Sequence, residues 1–250
     1  MISSERLVGA ILAGGSGARI RDFSTQQKPL VEVLGRPVID HTVVGMAHAG
    51  INEISIGTNE LNVELLRHLQ ATFPGIEFIP VSTDNCSGTG NALLAILDSI
   101  SESDVCIGTA DTVIRLDAIK RMIDAVGRPA VGRIGHVLAT RFIADEDPIW
   151  IETSPDWRLT RFSKGGKPAG LVFANIRWLS REAASRVRAA ATSELFTGEI
   201  RASVVMRFLM DSSPGAITCS VEDPVFDIDR GIDVKVAEEW IRDHPEKWNR

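Results

Sequence analysis

The sequence predicts an α/β fold: one domain over residues 1–250, a mostly parallel sheet flanked by helices, and a region of mixed sheet behind it. Three observations lead there. Over about 1–128, short apolar runs of strand length alternate with longer helical stretches, and such βα alternation implies parallel strands joined by right-handed crossovers. Over about 129–250 the order changes, and strand-like runs up to residue 176 follow one another with little helix between them. The chain shows no repeat and no low-complexity linker, and 250 residues suffice for one large core.

Leu7–Leu12, LVGAIL, is the first strand, an apolar run that breaks into glycines. A helix is expected at 37–49, with Gly50 just past its end. Strands follow at 53–57, 76–81 and 104–108, and helices at 61–71, 91–100 and 116–126. The second half reads as strands at 130–133, 137–142, 149–152, 159–162 and 171–176, with a turn at Gly165-Gly166. Helices at 180–191 and 199–210, strands at 217–221 and 225–229, and a closing helix at 234–243 stopped near Pro245 complete it. Ligands of parallel sheets collect beyond the carboxyl ends of the strands. The glycine loop after Leu12, the segment Ser87-Gly88-Thr89-Gly90 and Asp111 should therefore gather on one edge, although they are far apart in sequence.

Composition excludes several classes. The chain is 44% hydrophobic and 24% charged, with a net charge of −6, which argues against non-specific nucleic-acid binding. Any affinity for phosphate must then come from local cations and metal. Cys86, Cys106 and Cys219 lack zinc-type spacing and read as reduced thiols of a cytoplasmic protein. The apolar run near the N-terminus is too short for a signal segment, and no apolar stretch approaches ~18 residues, so no membrane is expected. The five histidines show no metal-type spacing, and no nucleophile elbow or Cys–His signature supports covalent catalysis.

The stretch from Leu7 to Pro37 carries the chemistry. Ala13-Gly14-Gly15-Ser16-Gly17 follows the strand, then Arg19 and Arg21, and eleven residues after Gly17 comes Lys28-Pro29. Glycines let backbone N–H groups approach a ligand closely, successive N–H groups form a nest for phosphate oxygens, and a helix N-terminus after the loop would add positive charge. A P-loop needs Lys-Ser/Thr directly after its last glycine, where this chain has Ala18-Arg19. The dinucleotide fingerprint fits Gly15 and Gly17 and fails at Ile20. The set Ala13-Gly14-Gly15, Gly17, Arg19, Lys28-Pro29 and Gly35-Arg36-Pro37 resembles the signature of the sugar-nucleotide pyrophosphorylases, the NTP-transferases with a Rossmann-like, glycosyltransferase-A-like fold.

Asp111, at a strand end before Thr112, is by position either a cap for the next segment or a ligand for a hard cation. The resemblance implies the ligand, with Mg²⁺ as cofactor. Phe226-Asp227-Ile228-Asp229 resembles the family's late D-I-D element. That implies Asp229 as the second metal carboxylate, with Asp227 behind it orienting the metal's ligands. Two residues apart in one strand, both side chains would leave the same face. Ser87-Gly88-Thr89-Gly90-Asn91-Ala92 resembles the G-T-G-H-A segment of the N-acetylglucosamine-1-phosphate uridyltransferase domain, with Asn91 in place of His. This implies that Gly88 and Thr89 lie on a pyrimidine base; a Ser/Thr-Gly helix cap is the other reading, and both can hold. Phe162-Ser163-Lys164 and Gly170 to Asn175 are similar to the acceptor elements F-x-E-K-P and G-[IV]-Y, without the Glu, the Pro and the Tyr. They imply Lys164, Gly170 and Asn175 at the acceptor.

The expectation is a Mg²⁺-dependent nucleotidyltransferase that moves NMP from UTP or dTTP to a sugar 1-phosphate. Ala13 would belong to the nucleotide site, the N–H groups of Gly14, Gly15 and Gly17 would hold β and γ oxygens, Arg19 the leaving pyrophosphate and Lys28 the α-phosphate. Two alternatives are kept: a cytidylyltransferase acting on phosphocholine, inositol phosphate or a phosphonate, and a nucleotide-binding regulatory protein without turnover. The expected partners are an NTP and a phosphorylated small molecule, with no nucleic acid and no membrane; self-assembly is left open.

Overall fold

The first strand, β1 (Leu7–Leu12), is buried nearly throughout, and the rest of the fold is arranged on it. The computed structural model describes residues 6–15, 17–127, 132–142, 148–165, 169–191, 193–196 and 198–248. After β1 the chain makes short 3-10 turns at Ala18–Ile20 and Lys28–Leu30. A two-residue hairpin comes next, β2 (Glu32–Val33) and β3 (Arg36–Pro37), then α1 (Val38–His48). No α-helix follows the glycine loop directly among the described residues, so the expected helix N-terminus is replaced by the 3-10 turn at Ala18–Ile20. The half continues with β4 (Glu53–Thr58), α2 (Val63–Thr72), β5 (Glu77–Ser82), α3 (Thr89–Ser99), β6 (Asp104–Thr109), β7 (Thr112–Val113) and α4 (Ala118–Val126). The second half holds β8 (Gly135–Thr140), β9 (Ile149–Thr153), β10 (Leu159–Lys164), β11 (Val172–Leu179) and α5 (Arg181–Ala190). It closes with α6 (Ala202–Ser212), β12 (Ile217–Val221), β13 (Phe226–Asp227), α7 (Gly231–Asp243) and α8 (Pro245–Trp248).

The described residues form a nine-stranded sheet. Its first-half part, β5-β4-β1-β6, is parallel throughout. β11 lies antiparallel to β6, β8 antiparallel to β11, and β12 parallel to β8, while the β9–β10 hairpin joins at Val172. One sheet therefore runs from the parallel half into the mixed half without a break. Its faces are covered by different helices. Leu93, Ile96 and Leu97 of α3 pack with Val187 of α5 and Val205 and Leu209 of α6 on one face. Val43 and Met46 of α1, Leu65 and Leu69 of α2, and Ile119 and Met122 of α4 cover the other. A third cluster sets Ile20 and Val31, from the stretch after the glycine loop, against Val113, Phe226, Ile228 and Val234. Burial of these side chains brings the late aspartates to the loop. No helix of the described residues is long and apolar enough to cross a membrane.

Several expectations need correction. The strand expected at 130–133 is not found: residues 130 and 131 lie outside the described residues, Gly132 turns at φ 85° and Arg133 is outside any strand. The neighbouring strand is Gly135–Thr140 rather than 137–142, because the Arg141 N–H leaves the ladder to donate to Asp223 Oδ1 at 2.6 Å. Asp111 does not end a strand; it sits in the turn between β6 and β7. The strand at 225–229 shrinks to Phe226–Asp227, paired with Thr112–Val113. Helices begin or end one to three residues from the expected positions, the ordinary uncertainty of helix ends.

Candidate active site

Ala13 leaves β1 still tied to the sheet, its N–H donating to Gly57 O at 3.1 Å. Two asparagines beyond the end of β4 then hold the turn: Asn62 Nδ2 donates to Ala13 O at 3.0 Å and Asn59 Nδ2 to Gly14 O at 3.2 Å. Both carbonyls are drawn toward the asparagines. Gly17 adopts φ 59°, and a Cβ there would stand 3.0 Å from the Lys28 Cβ. Glycine is thus required by backbone conformation and by the close approach of Lys28. The asparagines were not legible as site residues, although their place just beyond a parallel strand's carboxyl end was the available signal.

Lys28 is 13% exposed and its ammonium lies between two carboxylates, 2.7 Å from Asp111 Oδ2 and in a short contact with Asp229. Arg19 Nη1 approaches the other Asp229 oxygen at 2.9 Å. Burial acts to lower the Lys28 pKa, but Asp111 and Asp229 outweigh it and hold the group above its ordinary value, firmly charged. Burial likewise acts to raise Asp229, and Lys28 with Arg19 brings it below the usual carboxylate range. The turn that presents Asp229 is fixed from α7: Asp233 Oδ2 accepts from Asp229 N–H at 2.9 Å and Arg230 N–H at 2.7 Å. Ile228 N–H donates to Asp111 O at 2.9 Å, so the two carboxylate segments are bonded directly.

Asp227 joins this group. One carboxylate oxygen each from Asp111, Asp227 and Asp229 lie within 4.8 Å of one another. The two late aspartates do not converge as neighbours on one strand face, as expected. Asp227 comes from β13 and Asp229 from the turn beyond it. A divalent metal, which the family resemblance implies, fits the donor set: Asp111 Oδ1 is buried with no hydrogen-bond partner among the described residues, and clustered carboxylates are hard donors suited to Mg²⁺.

Two connected cavities meet here. A smaller one of about 310 Å³ is lined by Gly15, Gly17, Arg19, Lys28, Asp111 and Asp229 among others. A larger one of about 570 Å³ shares Ala13, Gly15, Arg19, Asp111 and Asp229 and extends past Gly14, Gly88, Thr89, Lys164 and Asn175. The sequence-predicted site residues therefore come together, apart from Gly170, which turns at φ 72° outside both linings. Gly88 is the N-cap of α3 at φ 89°, and a Cβ there would stand 2.5 Å from Ile200 O. Thr89 does not cap its own helix; its Oγ1 accepts from Ala202 N–H at 3.1 Å, joining the starts of α3 and α6. Asn91 reinforces that joint, donating to Ser87 O at 2.7 Å and Gly198 O at 2.8 Å. The larger cavity is also lined by Arg177 and Arg201, which no sequence motif marks.

Comparison with known proteins gives concordant results. The model of the nucleotidyl transferase family matches residues 8–138. Mannose-1-phosphate guanyltransferase of Kluyveromyces lactis is 35% identical over 100 residues, 38% of this chain and 27% of that protein. The matched stretches make up between 24% and 42% of the curated relatives' lengths. A Bacillus anthracis structure assigned provisionally as a glucose-1-phosphate thymidylyltransferase superposes with a TM-score of 0.81 at 18% identity, covering 95% of this chain and 96% of that one. The inositol-1-phosphate CTP transferase of T. maritima does so with 0.78 at 15%, covering 94% and 95%. At these identities the structural likeness establishes the fold.

Proposed function

This chain belongs to the nucleotidyl transferase family, and from that premise we propose that it transfers the NMP of an NTP, UTP or dTTP first, to a sugar 1-phosphate with release of pyrophosphate. One observation carries the reading: Lys28, Arg19 and three carboxylates converge on the glycine loop at the carboxyl ends of β1 and β6. In-line attack of the acceptor's phosphate oxygen forms a bond to the α-phosphorus while the bond to the bridging oxygen breaks. Such a transfer depends on position and charge neutralisation more than on proton transfer.

The loop N–H groups of Gly14, Gly15 and Gly17 hold β and γ oxygens, and Arg19 neutralises the departing pyrophosphate. Lys28, held ready by Asp111 and Asp229, turns its ammonium to the α-phosphate, where negative charge grows. Asp111 and Asp229 are the residues that would hold Mg²⁺, with Asp227 beside them. Bound there, the ion would add Lewis-acid neutralisation of the phosphates. Lys164 and Asn175 meet the acceptor's phosphate and sugar.

The three similar proteins are named for GTP, dTTP and CTP chemistry, so the base is argued from Gly88 and Thr89, a small surface suited to a pyrimidine edge. The T. maritima likeness keeps the cytidylyltransferase alternative in view, since CTP and inositol phosphate would meet the same loop and carboxylates. A matrix of the four NTPs and dTTP against phosphorylated acceptors, read by pyrophosphate release, tests the assignment. UTP or dTTP should outperform ATP and GTP. GTP winning in direct competition would overturn the base assignment, and tight NTP binding with no release on any acceptor would favour the regulatory alternative.

A further inference from the structure

Arg177 is an anomaly of the acceptor side. It lies in β11 opposite Ile107 of β6, on the sheet face that α3 and α6 cover. Only 2% of it is exposed, and it lines the larger cavity. Its guanidinium carbon lies 5.6 Å from the centroid of the Phe173 ring, a cation–π contact. Nε is buried without a hydrogen-bond partner, and no carboxylate pairs with Arg177 among the described residues. A buried charge left in this state costs free energy, so native structures keep such a group where something else completes it.

We propose that Arg177 forms the floor of a subsite for a second anionic group on the acceptor, so that the preferred acceptor is a sugar 1-phosphate that also carries a carboxylate or a further phosphate. The proposal rests on the nucleotidyltransferase reading. A guanidinium fork matches the two oxygens of either anion. Near Arg177 the lining adds the cations Lys164 and Arg201, and the first residues of α3 and α6, Thr89 and Ala202, face the same space; the acidic side chains of the wall are Glu199 and, at the transfer site, Asp111, Asp227 and Asp229. Position separates this floor from the transfer site. Arg177 pairs two residues short of Thr109, where β6 ends, which places it roughly 7 Å inside the edge that holds Asp111. Both ends open into one cavity, which a sugar with an anion remote from its reacting phosphate can span.

The test compares glucose 1-phosphate, glucuronic acid 1-phosphate and glucose 1,6-bisphosphate on wild type, Arg177→Met and Arg177→Lys, with folding of each variant checked by thermal unfolding. Wild type should favour at least one acidic acceptor by about ten-fold or more in kcat/KM, the worth of a charge-assisted fork. Arg177→Met should lose that ratio and Arg177→Lys retain part of it. Equal use of all three acceptors by wild type, or the same fractional loss on all three in Arg177→Met, would overturn the subsite; the second outcome would mean that Arg177 meets the transferred phosphate. Calorimetric binding of the same compounds without NTP separates the two readings. An acidic preference in binding with no pyrophosphate release from any acceptor keeps the subsite and sinks the transfer reading. Turnover without that preference does the reverse.

Discussion

Lys28, largely shielded from solvent, and Arg177, buried, are cations of opposite halves of the chain, and the fold treats them in opposite ways. Lys28 sits in the parallel half among counter-charges the protein supplies, and Asp111 and Asp229 lift its pKa against burial. Arg177 sits in the mixed half with an aromatic face and no carboxylate among the described residues, and burial alone lowers its pKa to about 10. The difference separates two kinds of site residue. In the proposed transfer site, Lys28, Asp111 and Asp229 are already paired without substrate. In the subsite proposed for Arg177, a charge is left for the acceptor to complete. Mutation and metal removal can break this contrast or sharpen it.

The largest effect should come from the paired side. Chelation of divalent metal should abolish turnover and Mg²⁺ should restore it; Asp111→Asn and Asp229→Ala should abolish it without unfolding the chain. Asp227→Ala should cost only about 10–100-fold, the scale of a residue that orients metal ligands. The measurement is kcat against Mg²⁺ concentration for the three variants. Near-normal turnover in Asp111→Asn would make Asp111 a turn residue and leave Lys28 paired for structure alone. A dead Asp227→Ala beside an active Asp229→Ala would exchange the two roles, which is open to test because both carboxylates reach the same cluster.

Lys28→Ala should lower kcat at saturating NTP by about 10²–10³, the usual loss for one electrostatic contact made in the transition state, while NTP binding weakens far less. A variant within about threefold of wild type would mean that the pairing with Asp111 and Asp229 is the whole of its role.

The two cations also differ in how far sequence could find them. Lys28 announced itself because its neighbours in sequence are its neighbours in space. The strand, the glycines and Lys28-Pro29 form one local motif, and parallel topology brings Asp111 to the same edge. Arg177 carries no such mark. Within Ile176-Arg177-Trp178 it reads as the polar residue of a strand, and its burial depends on α3 and α6 closing over that face, a packing event among distant segments. The same limit applies elsewhere. The short β2–β3 hairpin turns through Leu34 at φ 52° and Gly35 at φ 75°, and a Leu-Gly pair is not a turn signal of the Asn-Gly kind. The parallel pairing of β12 with β8 spans nearly the whole second half and leaves no local trace. Thr89 looked like a cap for α3 because its partner, the first N–H of α6, is far away in sequence.

The smallest predicted effect is on stability, and it isolates the contrast from catalysis. Each cation is replaced by Met, which keeps the apolar stem and removes the charge, and thermal unfolding is measured without substrate and with chelator. Lys28→Met leaves Asp111 and Asp229 facing each other with their shared counter-ion gone, and Arg19 still compensates Asp229 alone. Both carboxylates are partly exposed, so water screens their repulsion, and the loss should be about 1 kcal/mol, a fall in Tm of roughly 2–4 °C for a chain of this size. Arg177→Met removes a charge for which the protein provides no counter-charge among the described residues. Apolar groups of similar volume in place of buried charge are often neutral or stabilising, so its Tm should equal or exceed that of wild type. Opposite signs would establish that one cation is completed by the fold and the other is not. A fall in Arg177→Met as large as in Lys28→Met would show that the fold already satisfies Arg177, and the contrast between the two halves would be lost.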